Sequence, residues 1–194
     1  MTRPLTEVPL EAGRVYRTSW LRRFGDNPTR LSQRLEARGL VRRLGHGLFY
    51  APTSGRFGEV PPSDEALLDA FLDGTPYLAT GPPRWNALGL GSTALFVHPL
   101  VYNTKRTGRF LVGRRTFDLR REKFPARPTA EWFVVDLLHH ADEAGVDRHD
   151  VTENLTRALR RGRFDLDRLF EMAALFGGRR EIDLVRAAVE SAGR

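Results

Sequence analysis

The sequence predicts an α+β protein: an N-terminal helix-and-hairpin domain, an α+β middle segment and a helical C-terminal segment. Three observations predict it. Residues 27–52, NPTRLSQRLEARGLVRRLGHGLFYAP, hold a helix with start and stop signals, followed at once by two apolar runs around a Gly-X-Gly turn. The middle alternates short β-prone runs with brief helical ones. From Thr129 onward the texture is helical to the end.

Taken in order, Leu5 to Ala12 reads as a short first helix, weakened by Pro4 and Pro9. Arg14 to Arg17 reads as extended. Thr18 or Ser19 caps a second helix through Phe24, and Gly25-Asp26 turns into the third. Asn27 is an N-cap with Pro28 at the first helical position, and Gly39 stops the helix near Arg38. Leu40 to Leu44 and Leu48 to Ala51 flank the Gly45-His46-Gly47 turn as a hairpin. A helix pair with a short turn, followed by a hairpin, is the order of a winged helix-turn-helix. The Pro/Gly-rich stretch from Pro52 to Pro62 is the expected boundary between domains 1–56 and 57–194.

Ser63-Asp64-Glu65 opens a helix to about Leu72, and Tyr77 to Thr80 is a strand. Pro83 to Leu88 is a short helix ended by Gly89. Thr93 to Val97 and Leu100 to Asn103 read as strands. Arg109 to Val112 and Thr116 to Arg121 form a hairpin around Gly113-Arg114-Arg115. Helices follow over Thr129 to Ala144, Val151 to Arg161, Asp165 to Phe176 and Glu181 to Ala192. No repeat and no low-complexity tract interrupts them.

Charge is placed unevenly. Residues 1–56 carry eleven arginines against four acidic residues, a net of +7, while residues 57–194 carry twenty of each sign. The 29 arginines against 2 lysines reflect a compositional bias, but that bias does not explain why acids are scarce only before residue 57. The asymmetry points to a polyanion partner for the N-terminal domain. Cysteine is absent, which excludes disulfides and a thiolate zinc finger. The N-terminus has no apolar signal region, and no run approaches the ~18 apolar residues of a membrane helix. The expectation is a soluble cytoplasmic protein with no membrane partner.

On a helical wheel of about 100° per residue, Leu31 and Leu35 face the core, with Leu40, Leu44 and Phe49 as neighbours. The opposite face carries Thr29, Arg30, Gln33 and Ala37, with Arg34 and Arg38 at its flanks. Those side chains suit double-stranded DNA. Arginine bonds a guanine edge bidentately, glutamine an adenine edge, and alanine touches a thymine methyl. Thr29 sits at the helix N-terminus, where backbone N–H groups favour phosphate. Arg17, Arg22 and Arg23 are phosphate clamps from the preceding helix; Arg42, Arg43 and His46 are clamps from the wing, or enter the minor groove.

Other residues resemble chemistry more weakly. His139 and His140 are adjacent on a helix, so their rings point about 100° apart and do not share one ion. Asp118, Glu122 and Lys123 resemble a nuclease cluster, but on a strand neighbouring side chains go to opposite faces. Gly89-Leu90-Gly91-Ser92 lacks a phosphate-loop lysine, and no nucleophile elbow is present. No catalytic, cofactor or metal residue is expected.

The chain resembles the AbiEi family of antitoxin-like regulators from bacterial abortive-infection toxin–antitoxin systems. Three stretches carry the resemblance: Leu35 to Pro52 (LEARGLVRRLGHGLFYAP), Thr75 to Leu90 (TPYLATGPPRWNALGL) and Tyr102 to Arg121 (YNTKRTGRFLVGRRTFDLRR). It extends from Gly13 to Glu143. It implies an N-terminal winged helix that binds an inverted-repeat operator and represses its own operon. It further implies a C-terminal part that neutralises a cognate nucleotidyltransferase-like toxin. Arg30, Gln33 and Arg34 match the family's recognition-helix positions, and Arg42, Arg43 and His46 match its wing. Two alternatives stay open: a stand-alone winged-helix regulator whose middle segment binds a ligand or protein, and a metal-dependent nuclease using Asp118 and Glu122.

Overall fold

An asparagine side chain starts the first α-helix. In the computed structural model, which describes residues 8–193, the Asn27 carboxamide oxygen accepts from the Arg30 N–H at 2.9 Å. Pro28 occupies the first helical position, and α1 spans Pro28–Ala37. The helix ends as expected. Gly39 N–H donates to Glu36 O at 2.9 Å and Leu40 N–H to Leu35 O at 3.0 Å, with Gly39 at φ +71°. This pair of bonds closes a helix through a left-handed residue, which glycine supplies without a Cβ clash.

Before α1 lie β1 (Val15–Arg17) and a 3-10 helix, Thr18–Arg23. The α-helix expected over Thr18 to Phe24 is therefore a tighter 3-10 turn. Leu21 is its one fully buried residue, and Trp20 packs between Tyr16 and Phe24 at ring distances of 4.5 and 4.8 Å. The helix expected over Leu5 to Ala12 lies partly outside the described residues, and Val8 to Ala12 is not helical. There the backbone serves the sheet instead: Gly13 N–H donates to Ala51 O, and Ala51 N–H to Arg14 O.

After α1, β2 (Arg42–Gly45) and β3 (Leu48–Tyr50) form the expected antiparallel hairpin. β1 pairs with the other edge of β3, giving strand order β1-β3-β2. Leu31, Leu35, Val41 and Phe49 pack with Tyr16 and Leu21 beneath the helix. Val41 takes the place expected of Leu40, which is 43% exposed because the Gly39 turn carries it outward. Leu44 is half-buried and lies outside that cluster.

The chain divides into two compact units. One runs to Pro76 and includes Arg109–Phe117; the other comprises Tyr77–Gly108 and the chain from Asp118 onward. The Pro52–Pro62 stretch, expected as the boundary between domains, holds a second hairpin of the first unit: β4 (Thr53–Gly55) and β5 (Gly58–Val60). The boundary expected after residue 56 falls in its turn. Tyr50 OH donates to Val60 O at 2.6 Å and ties this hairpin to β3. α2 (Asp64–Leu72), capped by Ser63 as expected, also belongs to the first unit.

In the second unit β6 (Tyr77–Thr80) pairs antiparallel with β7 (Leu100–Asn103). β7 pairs parallel with β9 (Arg115–Arg121), from Leu100↔Asp118 to Asn103↔Arg121. The strand order is β6-β7-β9-β8, but β8 (Gly108–Val112) from Arg109 onward and β9 as far as Phe117 belong to the first unit. α3 (Pro82–Ala87) is present, but Thr93 to Val97 is not the expected strand. Its backbone is held by side chains instead, Asn86 Nδ2 donating to Ala94 O, and Leu95 and Val97 are each 91% exposed.

α4 (Ala130–His139) is capped by the Thr129 hydroxyl and ends five residues earlier than expected, the chain continuing as turns to Gly145. α5 (Arg148–Arg160), α6 (Leu166–Phe176) and α7 (Arg179–Ala192) follow. α4 packs on α6, and α5 on α7, around a core that includes Trp85, Trp132, Leu137, Leu155, Leu169 and Val185. Among the described residues no helix is long and apolar enough to cross a membrane.

Candidate nucleic-acid interface

The polar side of α1 is built by its own periodicity. Leu31 and Leu35 are buried at 7% and 0% exposure, so the residues a half-turn away must face solvent. Thr29, Arg30, Gln33, Ala37 and Arg38 are exposed, and Arg34 is half-buried. Arg22 and Arg23, in the last turn of the 3-10 helix, are exposed as well. The outward set expected from the sequence is thus presented together on one short element and its neighbour. The Asn27 cap occupies the Arg30 N–H, while Ser32 Oγ turns inward to Thr29 O at 2.8 Å.

Two of the expected phosphate clamps are engaged elsewhere. Arg17 Nη1 donates to Ala70 O at 3.0 Å and Phe71 O at 3.3 Å, and Nε lies 3.5 Å from Asp73. A cation bonded to the last carbonyls of a helix closes its C-terminus, so Arg17 is a cap for α2. His46, at φ 51° in the turn of the β2-β3 hairpin, places Nε2 2.9 Å from Leu111 O and packs its ring edge-on to Phe71 at 5.4 Å. The tip of that hairpin is fastened to β8 and does not hang free. Arg42 is within 3.4 Å of Glu59, whereas Arg43 is exposed and lines a small cleft with Thr18, Thr29, Ser32 and Glu36.

Arg114, exposed in the turn between β8 and β9, belongs to the same unit and was not singled out by the sequence. Its turn chemistry was legible, but its placement with β2 comes from a contact almost seventy residues apart: Gly113 N–H donates to Leu44 O at 2.9 Å. No local pattern encodes such a contact.

The second unit holds its polar groups inside. Asp136 is buried, and its carboxylate accepts from Thr80 Oγ1 at 2.6 Å, Trp85 Nε1 at 2.8 Å and Tyr102 OH at 2.8 Å. His140 Nδ1 donates to the Asp136 carbonyl at 3.0 Å. Burial works against a charge on His140, but the hydrogen bond to Asp136 and its attraction raise the imidazole above its ordinary pKa. Burial first, and then Asp136, push the Tyr102 hydroxyl far above its usual range. His139 is half exposed and turns to Glu181 at 3.5 Å, so the two histidines serve different partners as their spacing dictates.

Glu122 and Lys123 differ from expectation. β9 stops at Arg121, so strand alternation does not separate them, and both line a cleft of about 100 Å³ with Tyr102, Asp136 and His140. Asp118 is engaged with Arg120 at 3.7 Å and is not among the residues of that cleft. Among the described residues no three His, Cys, Asp or Glu side chains converge as metal ligands. Comparison with protein-family models and with curated proteins finds no match to the chain.

Proposed function

We propose that the protein is a DNA-binding antitoxin that represses its own toxin–antitoxin operon. Its first unit is a winged helix-turn-helix with α1 as the recognition helix. The observation that carries DNA binding is the exposed face of α1, on which Thr29, Arg30, Gln33 and Ala37 stand opposite buried Leu31 and Leu35. The +7 charge confined to residues 1–56 supports a polyanion partner, and the strand order β1-β3-β2 around α1 supports a wing.

Arg30 and Gln33 read base edges in the major groove in this proposal. Arg22, Arg23, Arg34, Arg38 and Arg43 hold phosphates. Neutralisation of a nucleotidyltransferase-like toxin rests on the AbiEi resemblance of Thr75–Leu90 and Tyr102–Arg121. A cytoplasmic location follows from the same reading.

The test is fluorescence anisotropy of full-length protein on duplexes tiling the DNA upstream of its gene, over a range of salt. Saturable binding to one inverted repeat is expected. The Arg30→Ala/Gln33→Ala variant should lose about 1–3 kcal/mol per bidentate contact at that site, while non-specific binding declines less. Equal affinity of the variant and the native protein for every duplex would remove α1 as the reading element. Rescue of growth by co-expression with a neighbouring nucleotidyltransferase gene tests the antitoxin half; continued toxicity counts against it.

A further inference from the structure

A groove of about 860 Å³ runs along the outer side of β2 within the first unit, walled by β2, the segment from Glu59 to Leu67 and the β8–β9 turn. Four arginines line it, and they divide into two kinds. Arg115 makes a bidentate pair with Asp64 at 2.8 and 2.7 Å, and Arg42 lies 3.4 Å from Glu59. Those two are neutralised by groups that line the groove with them. Arg43 and Arg114 are exposed and, among the described residues, have no acidic partner within 4.0 Å. The groove therefore keeps two uncompensated positive charges.

Its floor has a different character. Leu44, Pro61 and Pro62 present apolar surface above the buried Leu67, and the Tyr50 hydroxyl is already committed to Val60 O. The back of the groove is fixed. Gly113 N–H bonds Leu44 O, and at Gly113, φ +64°, an added Cβ would stand 3.2 Å from Leu44 Cδ2. Only glycine lets the turn come this close to β2 while keeping that backbone. The concavity falls in the size range of small-molecule sites, which are mostly apolar with a few polar groups that orient the ligand.

We propose that this groove binds a small organic acid, a carboxylate or phosphate ester with an apolar body. Its acid group pairs with Arg43 and Arg114, and its body lies on Leu44, Pro61 and Pro62. Guanidinium groups suit such acids because their paired N–H donors match two oxygens at once. The complementarity is of charge and of surface together: inorganic phosphate satisfies the arginines and leaves the floor wet, whereas a neutral aromatic covers the floor and leaves the charges unpaired. Arg43 also lines the cleft beside α1, so occupancy engages a residue that the DNA-binding reading uses.

The experiment is calorimetric titration of the full chain with phenyl phosphate, benzoate, inorganic phosphate and benzyl alcohol. It needs no DNA and stands whether or not the protein binds an operator. Saturable binding of phenyl phosphate or benzoate is expected, at least tenfold tighter than inorganic phosphate or benzyl alcohol. Arg43→Ala/Arg114→Ala should abolish it while leaving the melting temperature unchanged, since neither side chain holds the fold. A Leu44→Ser variant should weaken the organic acids and leave the weak inorganic phosphate signal as it was. Binding of inorganic phosphate as tight as phenyl phosphate would overturn the proposal, as would full retention in the double-arginine variant. Competitive displacement of phenyl phosphate by a random-sequence duplex, with duplex affinity lost in the same variant, would reassign the groove to nucleic acid. No saturable heat with any of the four would end it.

Discussion

Replacing Asp136 with alanine should destabilise the second unit by about 3 kcal/mol, and the figure can be built donor by donor. The carboxylate receives three hydrogen bonds inside the core, from Thr80, Trp85 and Tyr102. An orphaned buried donor costs about 1–3 kcal/mol. The Trp85 indole N–H is fixed in the ring plane and has no second acceptor among the described residues, so it bears the full cost. The Thr80 hydroxyl can rotate and bears about 1 kcal/mol. The Tyr102 hydroxyl lies 3.2 Å from His140 Nε2 and can redirect there, so its share is small. Asp136→Asn should cost less than alanine, because one oxygen remains, although its amide then faces donors. Urea unfolding in a Trp20→Phe background gives the reading, since the remaining Trp85 and Trp132 are both in the second unit's core. In a double-mutant cycle with Trp85→Phe, a coupling of about 1–2 kcal/mol is expected between the two positions. A shift below about 1 kcal/mol for Asp136→Ala would refute the reasoning, because one stranded indole alone should exceed it.

Four further outcomes follow from other contacts. Asn27→Ala removes the cap of α1 and should cost about 1 kcal/mol in urea unfolding, with Asn27→Gly costing only a few tenths; equal losses for the two would argue against capping. Arg17→Ala should lower the melting temperature by freeing the α2 carbonyls, yet leave the salt dependence of duplex binding unchanged; a shallower salt slope would return Arg17 to the phosphate-binding set. For His140 the sign follows from its raised pKa. The folded state favours the proton, so the stabilisation is complete below the unfolded value near 6.5 and is lost as pH rises through the raised folded value. The melting-temperature gap between native protein and His140→Gln should therefore be wide in acid and narrow in alkali; a gap independent of pH would contradict it. Glu143 runs the other way. The Arg120 hydrogen bond holds its carboxyl below the ordinary range, so its contribution is present above the unfolded value and fades as pH falls through the folded one.

What could be read in the sequence was what local chemistry determines. Asn27-Pro28, Gly39, Ser63, Thr129 and Asp165 each marked a helix end, because caps are made within three or four residues. The polar face of α1 followed from Leu31 and Leu35 alone. Thr93 to Val97 was misread because an apolar run looks like a strand whether or not a neighbouring strand has a free edge for it. Pro52 to Pro62 was misread for a related reason: prolines and glycines mark turns, and a turn inside a hairpin has the composition of a linker. Arg17 and His46 looked like free cations because their acceptors, the carbonyls of Ala70 and Leu111, lie more than fifty residues away. The groove was hidden likewise, since its two uncompensated arginines come from strands and turns far apart in the chain.

The assignment of Arg109–Phe117 to the first unit bears on how the chain can be made and cut. That unit lacks part of its own wall until the ribosome has released Phe117, by which point β6, α3 and β7 have already emerged. Its folding during synthesis must wait for residues that follow the first segment of its neighbour, Tyr77–Gly108. Nor can a single cleavage separate the two units intact: a fragment ending at residue 56 or 76 leaves His46 without Leu111 and Leu44 without Gly113. Substitutions within the whole chain are therefore the sound way to test the proposed DNA binding and the proposed toxin neutralisation separately, and truncated fragments are expected to misfold or aggregate.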